Sequence, residues 1–265
     1  MTSRYPVLDH PGPLPIAHRG GGEERPENTW AAFSHAIELG YDYMETDVHL
    51  TADGVVAVIH DPVLDRVSDR TGSVTALEWA QVAAADLGAG QRVPRLDELL
   101  AAWPELRWNV DAKHDAVLGP LVEVLRAAGA IDRVVVTAFS DRRLVRARRL
   151  AGSGLCTSLG PRALGALRLA SLAPFAVPAS VPLPAEADWR QAGAAQVPVR
   201  WGAVPVVDRR FVTAAHRAGL AVHVWTIDER SEMERLLDLG VDGIMTDRPS
   251  LLREVLEARG QWRPR

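Results

Sequence analysis

Residues 16–61 read IAHRGGGEERPENTWAAFSHAIELGYDYMETDVHLTADGVVAVIHD. The apolar run 14–17 stops at His18-Arg19 and gives way to Gly20-Gly21-Gly22, the pattern of a strand end opening into a glycine loop. Pro26 sits where a helix is expected to begin, and Trp30, Phe33, Ile37 and Leu39 supply its apolar stripe. A helix N-terminus facing a strand end is a good place for an anion. The next segment, 41–50, alternates, so Glu45 and Asp47 share one face of a strand and Met44, Thr46 and Val48 the other. Asp53-Gly54 between apolar runs signals a two-residue hairpin turn. That turn sets Ala52 opposite Val55 and, counting outward, Asp47 opposite His60.

Two carboxylates on one strand face repel unless a cation lies between them. A divalent ion suits them, and Mg²⁺ and Ca²⁺ prefer such oxygen donors. The segment 108–113 alternates in the same way and places Asn109, Asp111 and Lys113 on one face. Asp111 is thus a candidate third ligand beside Glu45 and Asp47; a plain Asp111–Lys113 ion pair is the other reading. His18 and His60 each end a strand next to a charged neighbour, Arg19 or Asp61. Histidine titrates near neutrality, so this pair can supply a general base and a general acid. The fork of Arg19 can hold a phosphate or pair with Glu45 or Glu27. Glu27-Asn28-Thr29 reads equally as a helix cap and as part of the site. His49 shares the parity of Glu45 and Asp47 and is a candidate for a supporting layer. His10, His35, His114, His216 and His223, and His49 as its other reading, read as ordinary core or surface residues.

Outward from this stretch, strand and helix patterns alternate. Strands are expected at 16–18, 43–48, 107–112, 133–138, 154–158, 194–197, 221–226 and 242–246, with a hairpin return at 55–59. Helices are expected at 96–102, 116–128, 142–150 with Ser140 as N-cap, 161–172, 208–218, 229–239 and 250–258. Repeated β-then-α units imply a parallel sheet, and eight of them fit a closed (β/α)8 TIM barrel. A small insertion follows the second strand, at about 50–95, with one short helix at 77–85. Residues 1–13 read as a proline-rich lead-in, 173–190 as a long Pro/Ala-rich loop with a short helix near Asp188, and Trp201-Gly202 as a loop. A barrel's active site lies at the C-terminal ends of its strands, where His18, Glu45, Asp47, Asp111, Lys113 and Trp225 all fall.

At 265 residues the chain suits one barrel domain. Its formal charge of −4, with both signs mixed, gives no nucleic-acid surface. Cys156, the single cysteine, reads as a small core residue. No signal-peptide core and no apolar run long enough to span a membrane is found, so a cytoplasmic protein without stable membrane insertion is the default expectation. Oligomeric state is not readable.

The order of His18-Arg19-Gly20, Pro26-Glu27-Asn28-Thr29, Glu45-Thr46-Asp47-Val48, Asp53-Gly54 and His60-Asp61 resembles the glycerophosphodiester phosphodiesterase family. Later blocks resemble it too: Pro94 to Leu100, Asp111-Ala112-Lys113, Phe139-Ser140, Val224-Trp225-Thr226 and Gly243 to Pro249. The family's usual Glu-x-Lys is here Asp111-x-Lys113, one methylene shorter.

The resemblance implies metal-dependent hydrolysis of a small-molecule glycerophosphodiester to sn-glycerol 3-phosphate and an alcohol. One divalent ion, Mg²⁺ or Ca²⁺, would sit on Glu45, Asp47 and Asp111, with His18 and His60 catalytic in an order the sequence leaves unassigned. Arg19 and Lys113 would bind phosphate, and Trp225 would wall the glycerol carbons or pack in the core. A glycerol hydroxyl is a possible first nucleophile, giving a cyclic phosphate that water opens later. Alternative readings are a lysophospholipase D with the 173–190 loop against the acyl chain, an aldolase-like barrel with Lys113 as a Schiff-base lysine, and a non-catalytic phosphate-ligand binding protein.

Overall fold

The computed structural model describes residues 4–172 and 191–263. Eight parallel strands form the barrel: β1 (Leu14–Ala17), β2 (Tyr43–Leu50), β4 (Arg107–Ala112), β5 (Val134–Thr137), β6 (Cys156–Thr157), β7 (Ala194–Pro198), β10 (Ala221–Trp225) and β11 (Gly243–Thr246). They run in the order β6-β5-β4-β2-β1-β11-β10-β7. The ends of that path meet in one parallel bridge, Ser158 to Ala194, supported by Leu159 N–H to Ala194 O at 2.8 Å and Gly193 N–H to Thr157 O at 2.9 Å. The expected fold class is therefore the observed one.

Helices cover the outside: α1 (Trp30–Glu38), α3 (Leu96–Ala102), α4 (Leu118–Ala127), α5 (Asp141–Ala151), α6 (Pro161–Ser171), α7 (Arg209–Arg217), α8 (Arg230–Leu239) and α9 (Pro249–Ala258). Most start on a side chain or residue suited to the task. Ser140 and Asp208 accept backbone N–H bonds at the starts of α5 and α7, and Pro161 and Pro249 sit in the first turns of α6 and α9. An aromatic cluster, with Phe33 and Trp108 buried and Trp30 and Trp103 partly so, fastens α1 to the wall. Phe33 meets Trp108 at 5.1 Å and Trp103 at 6.4 Å, and Trp30 meets Trp103 at 5.0 Å.

Three local expectations change. The first helix starts at Trp30, four residues after Pro26, because Asn28 takes a left-handed backbone (φ 56°) and Thr29 is the N-cap. The N–H groups of Ala31 and Ala32 are taken by Gln91 Oε1 and Thr29 Oγ1, so they are not free for an anion. The hairpin between β2 and β3 (Val56–Val58) pairs Val48 with Val58, and Ile59 N–H donates to Asp47 O. The register is thus one residue off the expected Asp47–His60 pairing. The turn holds three residues rather than two: Thr51 N–H bonds Val55 O, and Gly54 takes φ 87°. Third, the stretch around Trp201-Gly202 is a short hairpin, β8 (Arg200–Trp201) with β9 (Val204–Pro205).

The insertion packs its own small core, with Leu64, Val74 and Val82 against Ala57 and Ile59, and contains the short α2 (Trp79–Ala83). The lead-in is structural. A 3-10 turn, Pro6–Leu8, buries Val7 and Leu8 with Tyr43, Leu14 and Cys156 near the N-terminal end of the barrel. Burial raises the Cys156 thiol's pKa, as expected of a core cysteine. The 173–190 loop, including the short helix expected near Asp188, lies outside the described residues.

Candidate active site

A cavity of about 400 Å³ opens where the strands end. His18, Arg19, Glu45, Asp47, His60, Asp111, Lys113 and Trp225, the eight residues singled out from sequence, all line it.

One side of the cavity is built by the turn after β1. His18–Gly20 form a 3-10 turn in which Arg19 holds φ 51°, a conformation uncommon for a residue with a Cβ. The turn is held from both sides. Arg19 N–H donates to Glu45 Oε2 at 3.0 Å, and Asn28 N–H donates to Arg19 O at 2.9 Å. Gly20 (φ 81°) packs against α1 so closely that a Cβ would lie 2.7 Å from the Ala32 Cβ.

The carboxylates are fixed by sheet register. Asp47 and Asp111 are directly paired across β2 and β4, and Glu45 pairs with Asn109 one step back. All three are buried, at 4 %, 2 % and 4 % exposure for Glu45, Asp47 and Asp111. Their charges cannot rely on water. Lys113 Nζ lies 2.7 Å from Asp47 Oδ1 and 2.6 Å from Asp111 Oδ2. Arg19 Nε lies 3.3 Å from Asp47 Oδ2, and Asn28 Nδ2 donates to the same oxygen at 3.0 Å.

The electrostatic balance is uneven. Burial tends to raise the Asp47 pKa, but Lys113, Arg19 and His60 outweigh it and hold the pKa down. For Glu45 the balance goes the other way: burial and the charge of Asp47 outweigh His18, Lys113 and the Arg19 N–H and push it up to about 8. Burial also raises Asp111, against the pull of Lys113, and Asp111 Oδ1 is buried with no hydrogen-bond partner. Burial lowers Lys113, but Asp47 and Asp111 more than reverse it, so the ammonium is held cationic.

These are the marks of an oxygen-rich pocket short of positive charge. Among the described residues no three acidic, histidine or cysteine side chains are gathered closely enough to hold an ion as they stand; Lys113 is the cation between Asp47 and Asp111. The donor chemistry nevertheless suits a hard divalent ion, with Glu45 poorly compensated and one Asp111 oxygen free.

Each histidine is held by a carboxylate through Nδ1. His18 Nδ1 lies 2.8 Å from Asp247 Oδ1, and His60 Nδ1 lies 2.6 Å from Asp61 Oδ1. An ionised carboxylate only accepts, so in both bonds the imidazole donates and Nε2 is left as the second working nitrogen. For His18 that nitrogen is 3.7 Å from Glu45 Oε2. Burial lowers the His18 pKa, but Glu45 and Asp247 outweigh it and the net shift is upward. Asp247 is itself held, since its backbone N–H donates to Asp228 Oδ1 at 2.8 Å.

The sequence reading missed Asp247 and Asp228, which only the closed barrel brings to His18, and the buried Gln196, whose Nε2 donates to Asn109 Oδ1 at 2.6 Å in the cavity floor. The alternation of 108–113 had marked Asn109 without giving it a role. Asn28 is resolved in favour of the site, and Thr29 in favour of the cap. His49 supports the site from behind: its Nε2 lies 3.1 Å from His60 O. Trp225 stands on the opposite wall, its ring edge-to-face with Phe139 at 5.8 Å, and Leu159, Leu164 and Trp201 continue that apolar side.

The profile of the glycerophosphoryl diester phosphodiesterase family matches residues 18–251. The chain is 43 % identical over 260 residues to a "probable glycerophosphodiester phosphodiesterase 2" of Mycobacterium tuberculosis, covering 96 % of this chain and 95 % of that one. It is 31 % identical over 269 residues to a glycerophosphodiester phosphodiesterase of Caldanaerobacter subterraneus subsp. tengcongensis, covering 93 % and 99 %. Its fold is similar to that of an Oleispira antarctica phosphodiesterase solved with the product sn-glycerol-3-phosphate (TM-score 0.74, 22 % identity, 92 % of this chain and 97 % of that one). The chain belongs to the glycerophosphoryl diester phosphodiesterase family and is an enzyme of the phosphoric diester hydrolase class.

Proposed function

We propose that this enzyme hydrolyses a glycerophosphodiester to sn-glycerol 3-phosphate and an alcohol by general acid–base catalysis, with one divalent ion, Mg²⁺ or Ca²⁺, on Glu45, Asp47 and Asp111. The observation that carries the reading is the matched tethering of two imidazoles, His18 by Asp247 and His60 by Asp61, on one cavity that also holds Arg19 and Lys113. One imidazole takes the proton of the attacking oxygen and the other protonates the leaving alkoxide, each step worth on the order of 10²–10⁴-fold. Arg19 and Lys113 pair with the phosphoryl oxygens as negative charge grows there. When bound, the ion supplies Lewis-acid stabilisation of that same charge. The hydroxyls of the glycerol face the polar wall and its carbons face Trp225.

A lysophospholipase D activity is a second reading, favoured by the apolar wall of Phe139, Leu159, Leu164 and Trp201, which would take an acyl chain. The acyl contact expected of the 173–190 loop lies outside the described residues. Schiff-base chemistry is disfavoured because an ammonium held by two carboxylates is a poor amine nucleophile.

The test is release of glycerol 3-phosphate from glycerophosphocholine in EDTA and after adding Mg²⁺ or Ca²⁺, beside release of choline from lysophosphatidylcholine. Turnover restored by an ion and lost in both His18→Ala and His60→Ala is expected. Parental rates in those two variants would refute the acid–base scheme. Turnover of the lysolipid alone would move the substrate to the second reading.

A further inference from the structure

Arg66 belongs to the insertion and does not line the cavity, yet it is bonded to two residues that grip the site. Its Nε donates to Asp61 Oδ2 at 2.6 Å, while Nη1 and Nη2 donate to Glu27 Oε2 and Oε1 at 2.9 and 2.7 Å. Asp61 uses its other oxygen on His60 Nδ1, and Glu27 Oε1 also accepts from Arg19 Nη1 at 3.0 Å. One planar guanidinium therefore joins the carboxylate behind a histidine to the carboxylate behind an arginine. The Arg66 hydrogen bond is the leading cause that holds the Asp61 pKa down at about 2.

We propose that Arg66 is a positioning residue that sets the orientation of the His60 imidazole and of the Arg19 guanidinium together, coupling the insertion to the active site. This rests on the reading that His60 and Arg19 act on the substrate phosphate. Without Arg66, Asp61 is free to turn off His60 Nδ1. Glu27 then has Arg19 as its remaining guanidinium partner and draws it away from phosphate. The geometry needs the fork: three bonds to two carboxylates from one plane are beyond a lysine ammonium. Arg66 is half-exposed while both of its carboxylate partners are mostly buried, so a thermal melt read beside the kinetics separates a loss of activity from a loss of fold.

The experiment compares the parent with Arg66→Ala, Arg66→Lys and the double variant with Asp61→Ala. Kinetics on glycerophosphocholine with Mg²⁺ are read beside the imidazole ¹⁵N spectrum of the free protein, with His60 assigned through His60→Gln. Arg66→Ala is expected to lower kcat roughly 10- to 100-fold and raise KM several-fold, on the scale of a misplaced catalytic group, with the melting temperature moved by less than about 4 °C. Its His60 Nδ1 signal shifts while that of His18 stays. Arg66→Lys recovers little of this, and Arg66→Ala costs less kcat on top of Asp61→Ala than it does in the parent, because its effect through His60 is already lost and only its effect through Glu27 and Arg19 remains. Parental kcat and KM in Arg66→Ala with an unmoved His60 signal, or full activity in Arg66→Lys, would overturn the proposal. A parent that turns over no phosphodiester would sink the functional reading instead, and the His60 signal would still decide the role of Arg66.

Discussion

His18 and Asp247 are 229 positions apart in the chain and 2.8 Å apart in space. The imidazole end of that pair is legible in the sequence, because a histidine followed by Arg-Gly at a strand end has few structural uses. The carboxylate end is not, since nothing local links the end of β11 to the end of β1. Asp61 is the opposite case, legible because it is the neighbour of His60. A carboxylate on Nδ1 fixes the tautomer and stabilises the imidazolium, so Asp247→Asn is expected to lower kcat by at least on the order of 10²-fold. The fold should persist, because an amide of the same shape can still bond Gly22 N–H, which now reaches Asp247 Oδ1 at 3.3 Å. Steady-state kinetics beside a thermal melt checks both halves; turnover within threefold of the parent would deny Asp247 its orienting part. Asp111 shows a different limit of the sequence. Alternation puts it on the right face, and sheet pairing sets it level with Asp47, but only the structure reveals that one of its oxygens is spent on Lys113 and the other on nothing.

At the scale of elements, periodic segments were readable nearly to the residue and tight turns were not. β4 (Arg107–Ala112) and α3 (Leu96–Ala102) have the bounds their patterns predict. The β2–β3 hairpin slips by one because Asp53-Gly54 fits a two-residue loop equally well; Thr51 decides otherwise, its Oγ1 taking Val55 N–H at 2.9 Å and donating to Asp53 Oδ1 at 2.6 Å. The same distinction between turns yields a paired prediction. Gly54 has φ 87°, and a Cβ added there would meet nothing within 4 Å, so Gly54→Ala bears only the backbone cost, about 1 kcal/mol, and leaves kcat near parental. Gly20 has φ 81° and would drive a Cβ to 2.7 Å from the Ala32 Cβ and 2.9 Å from the Phe33 backbone nitrogen. Gly20→Ala therefore adds overpacking, typically about 1–3 kcal/mol, to the backbone cost. It also pushes Arg19 off Glu45, so kcat falls by more than about tenfold, a misplacement effect that denaturant melts and kinetics together would separate from unfolding. Equal stability of the two variants would contradict this account of the turn.

Across the whole molecule, eight repeats made the barrel legible, while its fastenings were hidden. The bridge of Ser158 to Ala194 and the Pro6–Leu8 turn that buries Val7 and Leu8 are short and aperiodic, so no pattern announces them. Closing the barrel is also what buries the acidic strand faces, and the expected consequence is a stability that depends on pH and, through the proposed ion site, on divalent ions. In EDTA, Glu45 is held protonated up to about 8 by burial and by Asp47, whereas its ordinary value is 4.5. Asp111 is raised by burial, and His18 is raised despite burial by Glu45 and Asp247. For each of these groups the folded protein binds protons that the unfolded chain releases, so the stability they bring is complete at low pH and is lost as pH rises through the folded value. The metal-free melting temperature should therefore fall between about pH 5 and 8, by about 2–4 °C for each kcal/mol lost. A divalent ion favours the ionised carboxylates and opposes that loss. Saturating Mg²⁺ or Ca²⁺ should raise the melting temperature most at pH 8, by the equivalent of about 2.7 kcal/mol at a hundredfold excess over Kd. Glu45→Gln removes the Glu45 titration and, at the proposed ion site, a ligand, so it should reduce the pH slope in EDTA and weaken the ion's effect together. Calorimetry across pH with and without ion decides it: an undiminished slope in Glu45→Gln would place the pH dependence on groups other than Glu45.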